Sequence, residues 1–271
     1  MQQSPGRPVA TTMGYTGLAI KAHFGALRPD QITTDHCRSY TAQRRAVGIS
    51  IGSVWTELGH LRTCMTWAAD KARLIPVAPY IERPQKPAPK DRYLTHAEIE
   101  RLLAADCEPH IRLAILLMLT TAARVGAVLD LTWDRVDMDR GQINLRADCE
   151  GPRKGRAVVP INATMRAALM SAREAALSDF VVEWAGVPVR SIRKGFERAV
   201  KSAGLNGVSP HVLRHTAAVH MAEGGVPMSK ISQYLGHSST AVTERVYARY
   251  APDHLREAAE ILDFGRVRGV R

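Results

Sequence analysis

The stretch Arg83-Pro-Gln-Lys-Pro-Ala-Pro-Lys90 constrains this chain more than any other. It places three prolines within six residues. Each proline locks its own φ and lacks an N–H, so neither a helix nor a central strand can run through such a segment. What remains is an extended, semi-rigid tether. The 271 residues are therefore predicted to form two bodies, 1–83 and 91–271, joined by a linker over 84–90. Hydrophobic residues make up 45% of the chain, enough to give each body a core.

Upstream of the tether the pattern is helical. Residues 1–10 are polar and Pro/Gly-rich and read as disordered. A weak helix signal follows from Gly17 to Leu27, and Thr33-Thr34-Asp35 can cap a second helix through Tyr40 and Arg44. Ser53 is expected to open a stronger one. Its Trp55, Leu58, Leu61, Met65, Ala68, Ala72 and Ile75 share one stripe and read as core. Lys71 and Arg73 fit either solvated charge or contact with nucleic acid.

Downstream, Thr95-His-Ala-Glu98 is a capping box. Residues 111–121 are apolar nearly all round and predict a buried central helix. Arg124 follows directly, and a guanidinium at the end of a buried helix needs a partner or an anionic ligand. After Trp133 the period changes to two. Residues 142–145 and 156–161 read as paired strands, with Arg153, Lys154 and Arg156 on the hairpin. Asn162 caps a helix through Met165, Leu169 and Leu177, and a short apolar piece spans 180–189. Residues 191–203 form a helix with a basic face (Arg193, Lys194, Arg198, Lys201), suited either to solvent or to a DNA groove. The expected class is mainly α with a small antiparallel β-sheet.

Charge narrows the partner. The net charge is +11 and the pI about 9.9. Residues 1–90 carry 12 Lys/Arg against 5 Asp/Glu, and residues 91–271 carry 25 against 21. An excess concentrated in the first third fits a part that grips a phosphate backbone. Cys37, Cys64, Cys107 and Cys149 are scattered with no CxxC pair, so neither a zinc site nor a disulfide framework is expected. Reduced thiols in a cytoplasmic protein are the simplest account. The polar start does not read as a signal peptide, and the most apolar run, 111–119, is too short to span a bilayer.

The candidate chemistry lies between Ser209 and Tyr250, on three predicted helices divided by Gly224-Gly225 and Gly236. His211 and Arg214 are spaced i, i+3 and share a face. With His237 and Tyr247 they supply donors, cations and a phenol, with no carboxylate. That set suits a phosphate better than a carbonyl or a metal. A phenol can attack phosphorus and hold it covalently. Tyr250 is a rival phenol.

Three runs here, His211-Val-Leu-Arg214-His215, Leu235-Gly236-His237-Ser238-Ser239 and Arg245-Val246-Tyr247-Ala248, resemble the C-terminal signature of tyrosine recombinases, the phage-integrase family. The last run favours Tyr247 over Tyr250. Residues 121–133 resemble the family's first arginine box, with one departure: an acidic residue is usual where Ala127 stands. The resemblance implies a small helical domain that binds the core DNA site, a tether, and a mixed α/β catalytic domain of tyrosine-recombinase type. It implies a 3′-phosphotyrosyl intermediate formed by Tyr247, with Arg124 and Arg214 on the non-bridging oxygens. His211 would assist proton transfer, His237 would donate to the phosphate, and Lys154 would be the lysine that acts as general acid from the hairpin. The implied partners are double-stranded DNA, further copies of the chain in a tetramer, and accessory DNA-bending proteins. Neither metal nor cofactor is implied. The apolar helix after Pro252 would dock on a neighbouring protomer.

Other readings compete. A DNA-binding protein of the same fold without catalysis is suggested by Ala127 and the irregular lysine hairpin. A nicking–closing topoisomerase would share the chemistry. A zinc enzyme could use His211 and His215 at i, i+4, but Val212 stands where the protease motif needs Glu.

Overall fold

The computed structural model describes residues 8–88, 91–146, 157–252 and 255–262. The protein is mainly helical with small antiparallel sheets, and it divides into two compact units, Met1–Lys90 and Asp91–Arg271.

The first unit holds α1 (Pro8–Phe24), α2 (Thr34–Ala46) and α3 (Ile51–Asp70). Helix α1 begins well before the expected Gly17, because a proline is tolerated in a first turn, where its missing N–H has no partner to lose. Thr33 caps α2 as expected. Ser50, not Ser53, caps α3: its Oγ accepts from the Ser53 N–H at 3.2 Å, which places Ser53 inside the first turn. Val54, Leu58 and Leu61 of α3 are buried with Phe24, Ile32, Cys37, Tyr40 and Ile81. The helix stops at Asp70, so Ala72 and Ile75 of the expected stripe lie beyond it.

Trp55 is only half-buried. The Arg83 guanidinium sits 4.3 Å above its ring and the Lys86 ammonium 5.2 Å away. Arg38 also pairs with Glu82 at 2.8 Å. The proline-rich stretch therefore starts out fastened to α2 and α3, since its cations find an aromatic face and its Ile81 a core. Within that core Glu57 is buried, accepting from the Tyr40 hydroxyl at 2.8 Å and from Arg44 at 2.7 and 3.0 Å. Burial first, and then this carboxylate, push the Tyr40 phenol up.

The second unit is organised around α5 (Pro109–Thr121), whose Ile111, Ala114, Ile115, Leu117, Met118 and Thr121 are buried. Against it pack α4 (His96–Ala104), α6 (Val125–Leu129), α7 (Ala163–Glu174), α8 (Arg193–Ser202) and α9 (Pro210–Glu223). The Thr95 capping box opens α4. Strands β1 (Val136–Asp137), β2 (Gln142–Asn144) and β3 (Val158–Pro160) form an antiparallel sheet in that order, with Ile143 opposite Val159 and both facing the core. Strand β1 is too short to show a period in the sequence. Residues 147–156 lie outside the described residues, and with them Cys149, Arg153, Lys154 and Arg156 of the expected hairpin.

The apolar piece at 180–189 is itself a hairpin, β4 (Glu183–Trp184) and β5 (Val187–Pro188). Ala185 and Gly186 both have positive φ, 50° and 79°, as a tight two-residue hairpin turn requires. Helix α7 ends at Glu174, leaving Leu177 exposed.

Three helices close the unit: α9, α10 (Met228–Leu235) and α11 (Thr240–Tyr247), followed by a 3-10 turn at Ala248–Tyr250 and α12 (Arg256–Ile261). Pro210 occupies the first turn of α9, and Ser239 caps α11 through the Ala241 N–H. Among the described residues no helix is long and apolar enough to cross a membrane.

Candidate active site

Arg214 is the hub. It lies on the second turn of α9 and is 4% exposed. Its Nη1 donates to the Ala122 carbonyl at 2.7 Å and its Nη2 to the Leu235 carbonyl at 2.8 Å. The first carbonyl belongs to the residue that ends α5 in the left-handed region, the second to the last residue of α10. One guanidinium thus ties together three segments distant in sequence. Among the described residues no carboxylate pairs with it. Burial first, and the Arg124 guanidinium second, push its pKa down to about 10, so it stays charged at neutral pH.

His237 follows at 3.1 Å from Arg214 Nη2. Gly236 ends α10 at φ 64°, a conformation that turns the chain and delivers His237 beside Arg214. An arginine can only donate, so His237 Nε2 is an acceptor here. Its proton is then on Nδ1, which donates to Thr243 Oγ1 at 2.9 Å. Burial first, then Arg214 and Arg124, hold His237 below its ordinary pKa.

Arg124 precedes α6 and is exposed. With Arg146, His237, Ser238 and Ser239 it lines an open cleft of about 700 Å³. His211, on the first turn of α9, is the other exposed member of the set. Partial burial of its ring lowers its pKa, and Arg214 and Arg124 lower it further. Arg124 and Arg214 therefore both act electrostatically on His211 and His237. Lys154 lies outside the described residues.

Tyr247 ends α11 and is 7% exposed. Its hydroxyl lies 3.3 Å from His215 Nδ1. Burial raises the phenol pKa, and Arg214 opposes that rise. The rival Tyr250 is committed elsewhere: its hydroxyl donates to Asp91 Oδ1 at 2.8 Å, and Arg249 covers its ring. Sequence reasoning gave no role to Arg146, Asp91 or Thr243. Each is isolated in the sequence, and only the fold brings it to the site. His215 stands inside the motif, but next to Arg214, and adjacent helical positions point different ways. Among the described residues no group of three or more His, Cys, Asp or Glu is placed to hold a metal.

Residues 92–254 match the phage integrase family. The chain is 31% identical to tyrosine recombinase XerA of Thermococcus kodakarensis over 66% of this chain and 66% of that protein. It is 29% identical to tyrosine recombinase XerC of Corynebacterium efficiens over 93% of this chain and 85% of that protein. The match thus spans about two thirds of the archaeal relative's length and more of the bacterial one's. Two solved structures share the fold. The Tn1549 transposon integrase in complex with transposon right-end DNA has a TM-score of 0.79 at 18% identity, covering 96% of this chain and 95% of its own. A lambda integrase dimer bound to a core site has a TM-score of 0.75 at 18% identity, covering 90% of each chain.

Proposed function

Because the chain belongs to the phage integrase family, we propose that it is a site-specific DNA recombinase working through a covalent link between Tyr247 and a strand's 3′-phosphate. Tyr247 Oη forms a bond to phosphorus, the P–O5′ bond breaks, and the link is later reversed by an incoming 5′-hydroxyl. The bond energy is retained in the phosphotyrosine, so the exchange is isoenergetic.

One observation carries this reading: Arg214 is a buried cation that no carboxylate among the described residues neutralises, and it holds His237, which lines the cleft together with Arg124 and Arg146. Burying a charge is unfavourable unless something neutralises it. A phosphodiester entering the cleft supplies the missing anion. Arg214 uses three of its donors on Ala122, Leu235 and His237, which leaves two for non-bridging oxygens. Negative charge grows on those oxygens in the transition state, where fixed donors act most strongly. An entering phosphate also offsets the two guanidiniums that, after burial, depress His237; a proton gained on Nε2 then ends its bond from Arg214, and both groups turn their donors to the phosphate. Lys154, which the sequence places between β2 and β3, serves as the acid for the O5′ leaving group, and His211 assists proton transfer. The unit at 1–90 grips the core DNA with its surplus of basic residues, and four protomers on two duplexes exchange strands in the cytoplasm.

The test is a pool of nicked duplexes with randomised cores, incubated with the full chain and resolved on a denaturing gel. A covalent adduct that Tyr247→Phe abolishes is expected. A second reading, a DNA-binding protein without cleavage, is favoured by Ala127, buried where the family usually has an acid. It predicts retained duplexes with no adduct at any site.

A further inference from the structure

We propose that His215, oriented by Asp91, is the base that takes the proton of Tyr247 as the phenol attacks phosphorus. The proposal rests on the reading of Tyr247 as nucleophile and goes beyond it by assigning the proton's acceptor.

The geometry is a relay of three side chains. Tyr247 Oη is 3.3 Å from His215 Nδ1, and the two rings lie 5.3 Å apart at a tilt of 38°. The opposite nitrogen, His215 Nε2, is buried and has no hydrogen-bond partner among the described residues. Asp91 Oδ1 stands 3.6 Å from it. A carboxylate on that side favours the tautomer with hydrogen on Nε2, which leaves Nδ1 as a lone pair facing the phenol. The same carboxylate stabilises the imidazolium once the proton has moved, as in the serine hydrolase relay.

Asp91 is itself fixed. Its Oδ1 accepts from Arg249 and from the Tyr250 hydroxyl, both on the 3-10 turn that follows Tyr247. The turn after the nucleophile therefore holds the carboxylate that orients the base. Atoms balance in each direction. In cleavage the Oη–P bond forms, the P–O5′ bond breaks with O5′ taking the proton of the separate general acid, and the phenol proton passes to His215 Nδ1. In rejoining, the incoming 5′-hydroxyl gives its proton back to that acid as O5′–P forms, and the imidazolium returns its proton to Tyr247 Oη as the Oη–P bond breaks.

The surrounding charges keep the base competent. His215 faces Asp91 at the start of the unit, Tyr247 on α11, Arg249 and Tyr250 on the 3-10 turn, and His211 on its own helix. Burial lowers its pKa most, Asp91 opposes, and His211 and Arg249 lower it further, so the ring is neutral and able to accept at pH 7. Tyr247, with its raised phenol pKa, is not ionised there and needs an acceptor.

The experiment measures single-turnover adduct formation by the full chain on a duplex selected from the nicked pool. His215→Ala is expected to slow adduct formation about 100-fold with DNA affinity unchanged. Its acidic limb should give way to a rate that climbs towards the phenol pKa, and added imidazole should restore part of the loss. Asp91→Asn, at a half-exposed position, should slow the step about 10-fold. Its acidic limb should move to lower pH, because the imidazolium loses its carboxylate. A His215→Ala rate near wild type overturns the proposal and leaves Tyr247 as nucleophile. So does a slow variant that keeps the wild-type pH profile and ignores imidazole, which is what a packing role would give. An unmoved limb in Asp91→Asn also overturns it, and that readout stands even where His215→Ala fails to fold. Absence of any adduct with wild type overturns the nucleophile reading and this proposal together.

Discussion

Arg214 is a strut for the fold as well as the proposed ligand for the substrate, and its variants must be read with both in mind. Arg214→Ala leaves the Ala122 and Leu235 carbonyls without their donor. An orphaned buried acceptor costs about 1–3 kcal/mol. Losing a buried charge that no carboxylate among the described residues pairs with gives some of this back. A net loss of about 2–3 kcal/mol is expected in urea unfolding at neutral pH. Inactivity of that variant is therefore ambiguous, whereas Arg214→Lys keeps a cation and isolates the forked geometry. At this scale His211, Arg214, His237 and Tyr247 were legible because local motifs hold them. Asp91 was not, because it lies at the far end of the unit's sequence, and nothing local marks an aspartate as facing a histidine on α9. The acceptor role of His237 Nε2 was also hidden, since it depends on which donor the fold places opposite.

Among the elements, the opening of α4 shows how far local rules reach. Thr95 and Glu98 cap each other, and Glu98 also pairs with Arg92 at 2.6 Å. Arg92 first, and the Thr95 N–H second, hold the Glu98 carboxyl down at about 2. The folded pKa lies below the unfolded one, so the contribution is complete above the unfolded value of ~4.3 and lost as pH falls towards about 2. Glu98→Gln should lower the unfolding free energy by about 2 kcal/mol at pH 7, and the difference should shrink to a few tenths or less as pH falls through about 2. Urea titrations at several pH values check it. Capping boxes, the apolar run of α5 and the glycine stops of α9 and α10 were all readable, because each is a rule within one turn. Strand β1 was not, since two residues carry no period. The start of α3 slipped because Ser50 and Ser53 are equally good caps and only the backbone at Ser50 decides.

At the scale of the molecule, two units carry unequal charge, and the surplus sits in residues 1–90. DNA affinity should accordingly fall about 10³-fold or more between ~50 and ~200 mM salt, a slope that filter binding or anisotropy measures. A loss below 10-fold would mean that few phosphates are gripped. The division into two units was legible from the prolines. The fastening of Arg83 and Lys86 on Trp55 was not, because prolines show where a helix cannot run and do not show what the intervening cations touch.

The buried guanidinium of Arg214 bears on how durable the molecule is when idle. A protein that binds an anion only when folded gains RT ln(1 + [L]/Kd) in stability from it. On the proposed reading the empty protein is then its own weakest form, and duplex, or a small oxyanion seated over Arg214, should temper it against heat. Purified away from nucleic acid it should survive least well, and its melting curve becomes a gauge of whether its substrate is in place.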